Sequence, residues 1–102
     1  VAIVFIPNKS AHDFSDAERF GELRFLTEGI LKKYSTDILY RTLLDGMKDA
    51  EDHDYLVVSS LSILNSLASA IMARKFDHIN YLIFRGGNYL ERKIIFNTTD
   101  SP

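Results

Sequence analysis

The chain has 102 residues, with 46% hydrophobic and 25% charged residues, which suits one globular domain and excludes a disordered chain. It contains no cysteine, which rules out a disulfide scaffold, a thiolate nucleophile and a thiolate zinc site. The formal net charge is −2, and the densest basic clusters are only Lys32-Lys33, Arg74-Lys75 and Arg92-Lys93. Duplex nucleic acid is therefore disfavoured as a partner, although a small RNA or nucleotide site stays open.

Residues 1–6, Val1-Ala2-Ile3-Val4-Phe5-Ile6, form a continuous apolar run closed by Pro7-Asn8. It is too short for a buried helix and predicts a strand covered on both faces, as in a parallel sheet. The same run is too short for a signal peptide and has no basic stretch before it. No apolar run approaches the roughly 18 to 20 residues that a membrane helix needs. The expected location is cytoplasmic.

Residues 8–14 read as a polar loop. Ser15-Asp16-Ala17-Glu18 then matches a capping box, in which Ser15 and Glu18 satisfy each other's amides at the start of a short helix ending near Gly21. The segment 22–34 admits two readings. Glycines at 21 and 29 bracket a short strand, while Phe20, Leu23, Leu26, Ile30, Leu31 and Tyr34 fall at helical spacing. Two interior glycines would cost that helix about 1 kcal/mol each, which favours the strand.

Ser35 or Thr36 caps a helix predicted to run to about Asp49, with Leu39, Leu43, Met47 and Ala50 along one face. The Asp52-His53-Asp54 triplet that follows reads as a solvated acidic connection. Residues 55–58 are a second buried strand. A helix over 61–75 carries Leu64, Leu67, Ala68, Ile71 and Met72 on one face, and Ser66, Ser69, Ala70 and Ala73 keep its remaining surface small. Residues 79–84 are a third buried strand. Gly86-Gly87-Asn88 predicts a hairpin turn, because all three residues tolerate positive φ. Residues 89–96 return as an edge strand guarded by Glu91 and Lys93.

Strand, helix, strand from 55 to 84 is a βαβ unit with a right-handed crossover. The expectation is a single α/β domain over 1–96, with a mixed, mostly parallel sheet packed by helices, a C-terminal β-hairpin and a flexible tail over 97–102. Its expected core is Ile3, Phe5, Leu43, Leu56, Val58, Leu64, Leu67, Ile71, Leu82 and Phe84.

No nucleotide fingerprint, phosphate loop, metalloprotease motif or nucleophile elbow is present, and no motif calls for a cofactor or a metal. His12, His53 and His78 lie far apart, each beside an aspartate, which is commoner as turn chemistry than as a metal site. The candidate site is geometric. Ligands of open α/β sheets bind outside the carboxyl ends of parallel strands. The loops after the first strand and after 55–58 would bring Lys9, His12, Ser59, Ser60 and Asn65 together beside two helix N-termini. An anionic small molecule is the natural guest there. The site requires the two strands to be parallel.

Three segments carry a resemblance: Ile6-Pro7-Asn8-Lys9-Ser10-Ala11-His12-Asp13-Phe14-Ser15, Asp54-Tyr55-Leu56-Val57-Val58-Ser59 and Leu64-Asn65-Ser66-Leu67-Ala68. Together they resemble small bacteriophage-encoded proteins. The resemblance implies a viral accessory protein in the host cytoplasm and assigns no residue a role. The leading functional expectation is a small non-catalytic binding protein that contacts itself or another protein. The alternative is a domain that binds or hydrolyses a phosphorylated small molecule or nucleotide at the strand ends.

Overall fold

The computed structural model describes residues 1–29, 32, 34–58 and 61–96. Their elements, in chain order, are β1 (Ile3–Ile6), a five-residue 3-10 helix (Ser15–Arg19), β2 (Glu22–Phe25), α1 (Thr36–Gly46), β3 (Tyr55–Val57), α2 (Ser62–Lys75), β4 (His78–Arg85) and β5 (Asn88–Ile95). The strands form one sheet in the order β2-β1-β3-β4-β5. β1 pairs parallel with β2 and β3, β3 pairs parallel with β4, and only the β4–β5 hairpin is antiparallel. This is the expected α/β domain with a mixed, mostly parallel sheet.

The apolar runs become the inner strands because both of their faces are covered. On one face Phe5, Leu56 and Ile79 pack against Leu39, Leu43 and Met47 of α1 and its C-terminal turn, and against Leu64, Ala68, Ile71 and Met72 of α2. On the other face Val4, Ile6, Val57, Leu82 and Tyr89 pack with Ala17 of the 3-10 helix, flanked by Phe14, Phe20 and Phe25.

The segment after Gly21 is the strand β2. Gly21 enters the sheet so close to β1 that a Cβ on it would lie 2.3 Å from the Ala2 carbonyl oxygen. The adjacent Glu22 amide donates to that oxygen at 3.0 Å. The hairpin turn forms at Gly86 and Gly87, whose φ of 59° and 92° lie in the left-handed region that favours glycine, while Asn88, read as a turn residue, already opens β5.

Several local expectations need correction. The capping box does not form, since the element is a short 3-10 turn whose N-cap, Phe14, makes no side-chain cap bond. The upstream aspartate acts instead, and Asp13 Oδ1 accepts from the Ser15 amide at 2.9 Å. α1 begins at Thr36 with Ser35 as N-cap, again without a side-chain bond, and it ends at Gly46 rather than near Asp49. Glycine is a poor helix former, and here it meets Leu26, whose Cδ2 would sit 2.7 Å from an added Cβ.

In the core, Ile3 and Leu67 are only partly buried, and Val58 and Phe84 are each 41% exposed. Val58 lies one residue past β3, and Phe84 lies near the hairpin tip, where the covering layer has ended. The Asp52-His53-Asp54 connection is solvated only at its first two residues. Asp54 is buried and ties the starts of two strands together, with Oδ1 accepting from the Ile3 amide (2.9 Å) and Oδ2 from the Glu51 amide (2.8 Å). Buried Asn80 donates to the carbonyls of Asp52 and Asp54, each at 3.1 Å. The expected tail over 97–102 lies outside the described residues.

Candidate functional site

Because β1, β3 and β4 all run parallel, their carboxyl ends share one edge of the sheet. Three connections meet there: the loop after β1, the chain leaving β3, and the β4–β5 turn. They enclose a cleft of about 220 Å³ lined by Asn8, Ser10, His12, Phe14, Val58, Phe84 and Tyr89.

His12 stands at the centre of this cleft. Its ring meets Phe84, Phe14 and Tyr89 edge-to-face, with centroids at 4.5, 4.8 and 6.2 Å. Such contacts hold a ring in place without sealing it from solvent. Nε2 lies 3.1 Å from the Tyr89 hydroxyl. Burial, followed by the charges of Asp16 and Asp13, holds the Tyr89 hydroxyl above the usual phenol range, so it stays protonated at neutral pH. Tyr89 is itself pinned at both backbone groups. Its amide donates to Asp16 Oδ2 at 2.6 Å, and its carbonyl accepts from the Arg19 guanidinium. The Tyr89 amide, with help from Asn88 and Arg19, lowers the Asp16 carboxyl below its ordinary 3.8. The 3-10 helix thus positions the aromatic wall through two charged side chains.

On the other flank, the Thr27 hydroxyl donates to the Pro7 carbonyl at 2.7 Å and lies 2.9 Å from Asn8 Oδ1, which fixes the start of the loop. The Ser10 hydroxyl accepts weakly from the His12 amide at 3.3 Å.

Of the five residues expected at the site, the three that are described separate. His12 lines the cleft. Lys9 extends the sheet instead: its backbone bridges to Glu28, and Nζ sits 5.4 Å from the Phe25 ring centroid, on the β2 side. Asn65 lies in the first turn of α2, its amide bonded to the Leu61 carbonyl at 3.2 Å, and it does not line the cleft. Ser59 and Ser60 lie outside the described residues. Sequence reasoning missed Phe84 and Tyr89. The signal for them was the parallel β3–β4 pair, which carries the hairpin turn to the same edge as the β1 loop. Among the described lining residues none carries a full charge with His12 neutral, and no three His, Asp or Glu side chains of the described residues converge as a metal site.

A family model described as phage Pam3 gp32-like protein matches residues 2–96. The chain belongs to that family. It is a phage-encoded protein, in agreement with the resemblance read from the three segments above. No curated protein and no solved structure matches it. Among the described residues no helix of this phage protein is long and apolar enough to cross a membrane.

Proposed function

We propose that this phage protein acts in the host cytoplasm by binding protein rather than by catalysis, and that its first partner is a second copy of itself. One observation carries the reading. Ile94, Ile95 and Phe96, 44% to 56% exposed, follow one another at the end of the outer hairpin strand, beyond the helices that cover the inner strands. Isolated exposed apolar residues are ordinary on a monomer, but a cluster of them along an open sheet edge is a surface suited to a partner. Sedimentation velocity over the micromolar range tests it. The expected result is a concentration-dependent monomer–dimer equilibrium that Ile94→Glu abolishes without changing the melting temperature of the monomer. A single monomeric species at every concentration would remove self-association.

The second reading is binding or hydrolysis of a nucleotide or phosphorylated small molecule, favoured by the cleft at the strand ends. Its aromatic walls and the polar side chains of Asn8, Ser10 and His12 suit a planar heterocyclic base better than a bare phosphate. A thermal-shift screen with nucleosides and nucleotides discriminates. Ligand at a hundred times its Kd adds about 2.7 kcal/mol of stability, which moves the melting temperature of a domain this size by roughly ten degrees or more. A flat screen leaves protein binding alone.

A further inference from the structure

We infer that β5 pairs antiparallel with β5 of a second copy, about a two-fold axis beside Arg92, so that Glu91 of each copy lies opposite Lys93 of the other. The inference rests on the self-association proposed above and specifies its contact.

β5 ends the sheet order and is twice as long as β2, the strand at the opposite edge, with eight residues against four. The two-residue turn makes Arg85 and Asn88 the closing pair of the hairpin. Backbone groups then alternate along β5. Those of Leu90, Arg92 and Ile94 face β4, and those of Tyr89, Glu91, Lys93 and Ile95 face outward. The hydrogen bonds agree. Outward-facing Tyr89 is occupied on both sides by Asp16 and Arg19 of the 3-10 helix, while Phe96 turns its amide inward to the Asp77 carbonyl. The 3-10 helix therefore covers the first part of the edge. From Glu91 onward the outward groups have no backbone partner among the described residues. The one contact there is the Arg92 guanidinium on the Glu91 carbonyl, at 2.7 Å.

Charge selects the register. Two-fold antiparallel pairing keeps each sheet face continuous, so odd residues meet odd and even meet even. Centred on Arg92, the pairing sets Glu91 against Lys93 twice and Leu90 against Ile94 twice, and the two opposite-charge pairs outnumber the one like pair, Arg92 against its symmetry mate. Opposite charges across a strand pair stabilise it, and like charges directly opposite destabilise it. Centring on Glu91 opposes two glutamates and sets both lysines against Tyr89, whose groups are already taken, whereas the Arg92 register sets Tyr89 only against Ile95, beyond the charged pairs. Centring on Lys93 opposes two lysines, and centring on Ile94 leaves both charges without a partner. Arg92 meets its symmetry mate at a non-hydrogen-bonded position, and its guanidinium yields the Glu91 carbonyl to the Lys93 amide of the second copy. The same charges that discourage an unrelated strand thus complement the chain's own edge.

The chain has no cysteine, so one introduced thiol reports the register. Directly opposite residues at a non-hydrogen-bonded position have Cα atoms about 4.5 Å apart, within disulfide reach. Arg92→Cys is expected to give a disulfide-linked dimer under mild oxidation, and Ile94→Cys is not. Lys93→Glu should weaken the dimer about tenfold or more, equivalent to roughly 1.4 kcal/mol, and Glu91→Lys with Lys93→Glu should restore it. Lys93→Glu carries the most weight, because Glu91 also acts on Tyr55 within one copy, where burial first and then the Glu91 charge and hydrogen bond raise the phenol. Circular dichroism checks that each variant folds. A dimer that ignores Lys93→Glu, or that cross-links through Ile94→Cys instead, overturns the register and leaves self-association standing. A wild-type chain that stays monomeric overturns both.

Discussion

On one face of the sheet Phe5, Leu56 and Ile79 lie beneath two helices, and the side chains that meet them from α1 and α2 are largely inaccessible to water. On the other face Val4, Ile6, Val57 and Leu82 lie beneath a five-residue 3-10 turn and an aromatic loop. The first covering is apolar and redundant. The second is held by a few directional contacts: Asp16 and Arg19 on Tyr89, and His12 among three aromatic rings. The contrast is one of stability. Area removed from water on the helical face carries most of it, and the lightly covered face depends on a few placed contacts.

The largest effect should come from the helical face. Leu43 is fully buried between α1, α2 and the sheet, so Leu43→Ala should cost about 2–5 kcal/mol, read by chemical denaturation. Phe14→Ala, a larger truncation on the other face, should cost less because Phe14 is only partly buried. Equal losses would break the comparison. Next comes the clasp at the amino ends of the strands. Asp54→Ala strands the amides of Ile3 and Glu51 and should cost about 1–3 kcal/mol. A loss within error of zero would mean that water replaces the carboxylate.

The third prediction concerns the lightly covered face and its pH dependence. The Asp16 carboxyl is held below 3.8 in the folded chain, chiefly by the Tyr89 amide. A depressed folded pKa stabilises the fold fully above the unfolded value and ceases to do so as pH falls through the folded one. Asp16→Asn should therefore melt below wild type at neutral pH, and the gap should close as the pH drops below about 3.8. A gap constant through that range would show that the Asp16 charge does not hold the Tyr89 wall. The smallest effect belongs to the cleft itself. Phe84→Ala removes a partly exposed ring and should change stability by about 1 kcal/mol or less, with dimerisation unchanged. A larger loss would make the cleft part of the core.

The inner strands were legible because their apolar runs are too short for a buried helix, and the hairpin was legible because Gly86-Gly87 is among the few dipeptides that accept two left-handed residues. The capping box at Ser15 misled because Asp13, two residues upstream, offers the Ser15 amide a better acceptor. The site was half legible. The position of His12 beside the cleft followed from parallel strands, whereas the placement of Lys9 did not, because the pairing of β1 with β2 continues past Pro7 and carries that side chain to Phe25.

Local pattern alone determined the βαβ unit, the edge hairpin and the absence of thiol chemistry, because each depends on residues near one another in the chain or on composition. The tertiary structure decided the order β2-β1-β3-β4-β5 and the exposure of Val58 and Phe84. It also decided the burial of Asp54 and the meeting of His12 with Tyr89, 77 residues apart. Those outcomes depend on which strand each edge finds and on where the covering layer stops, and both are settled by packing across the whole chain.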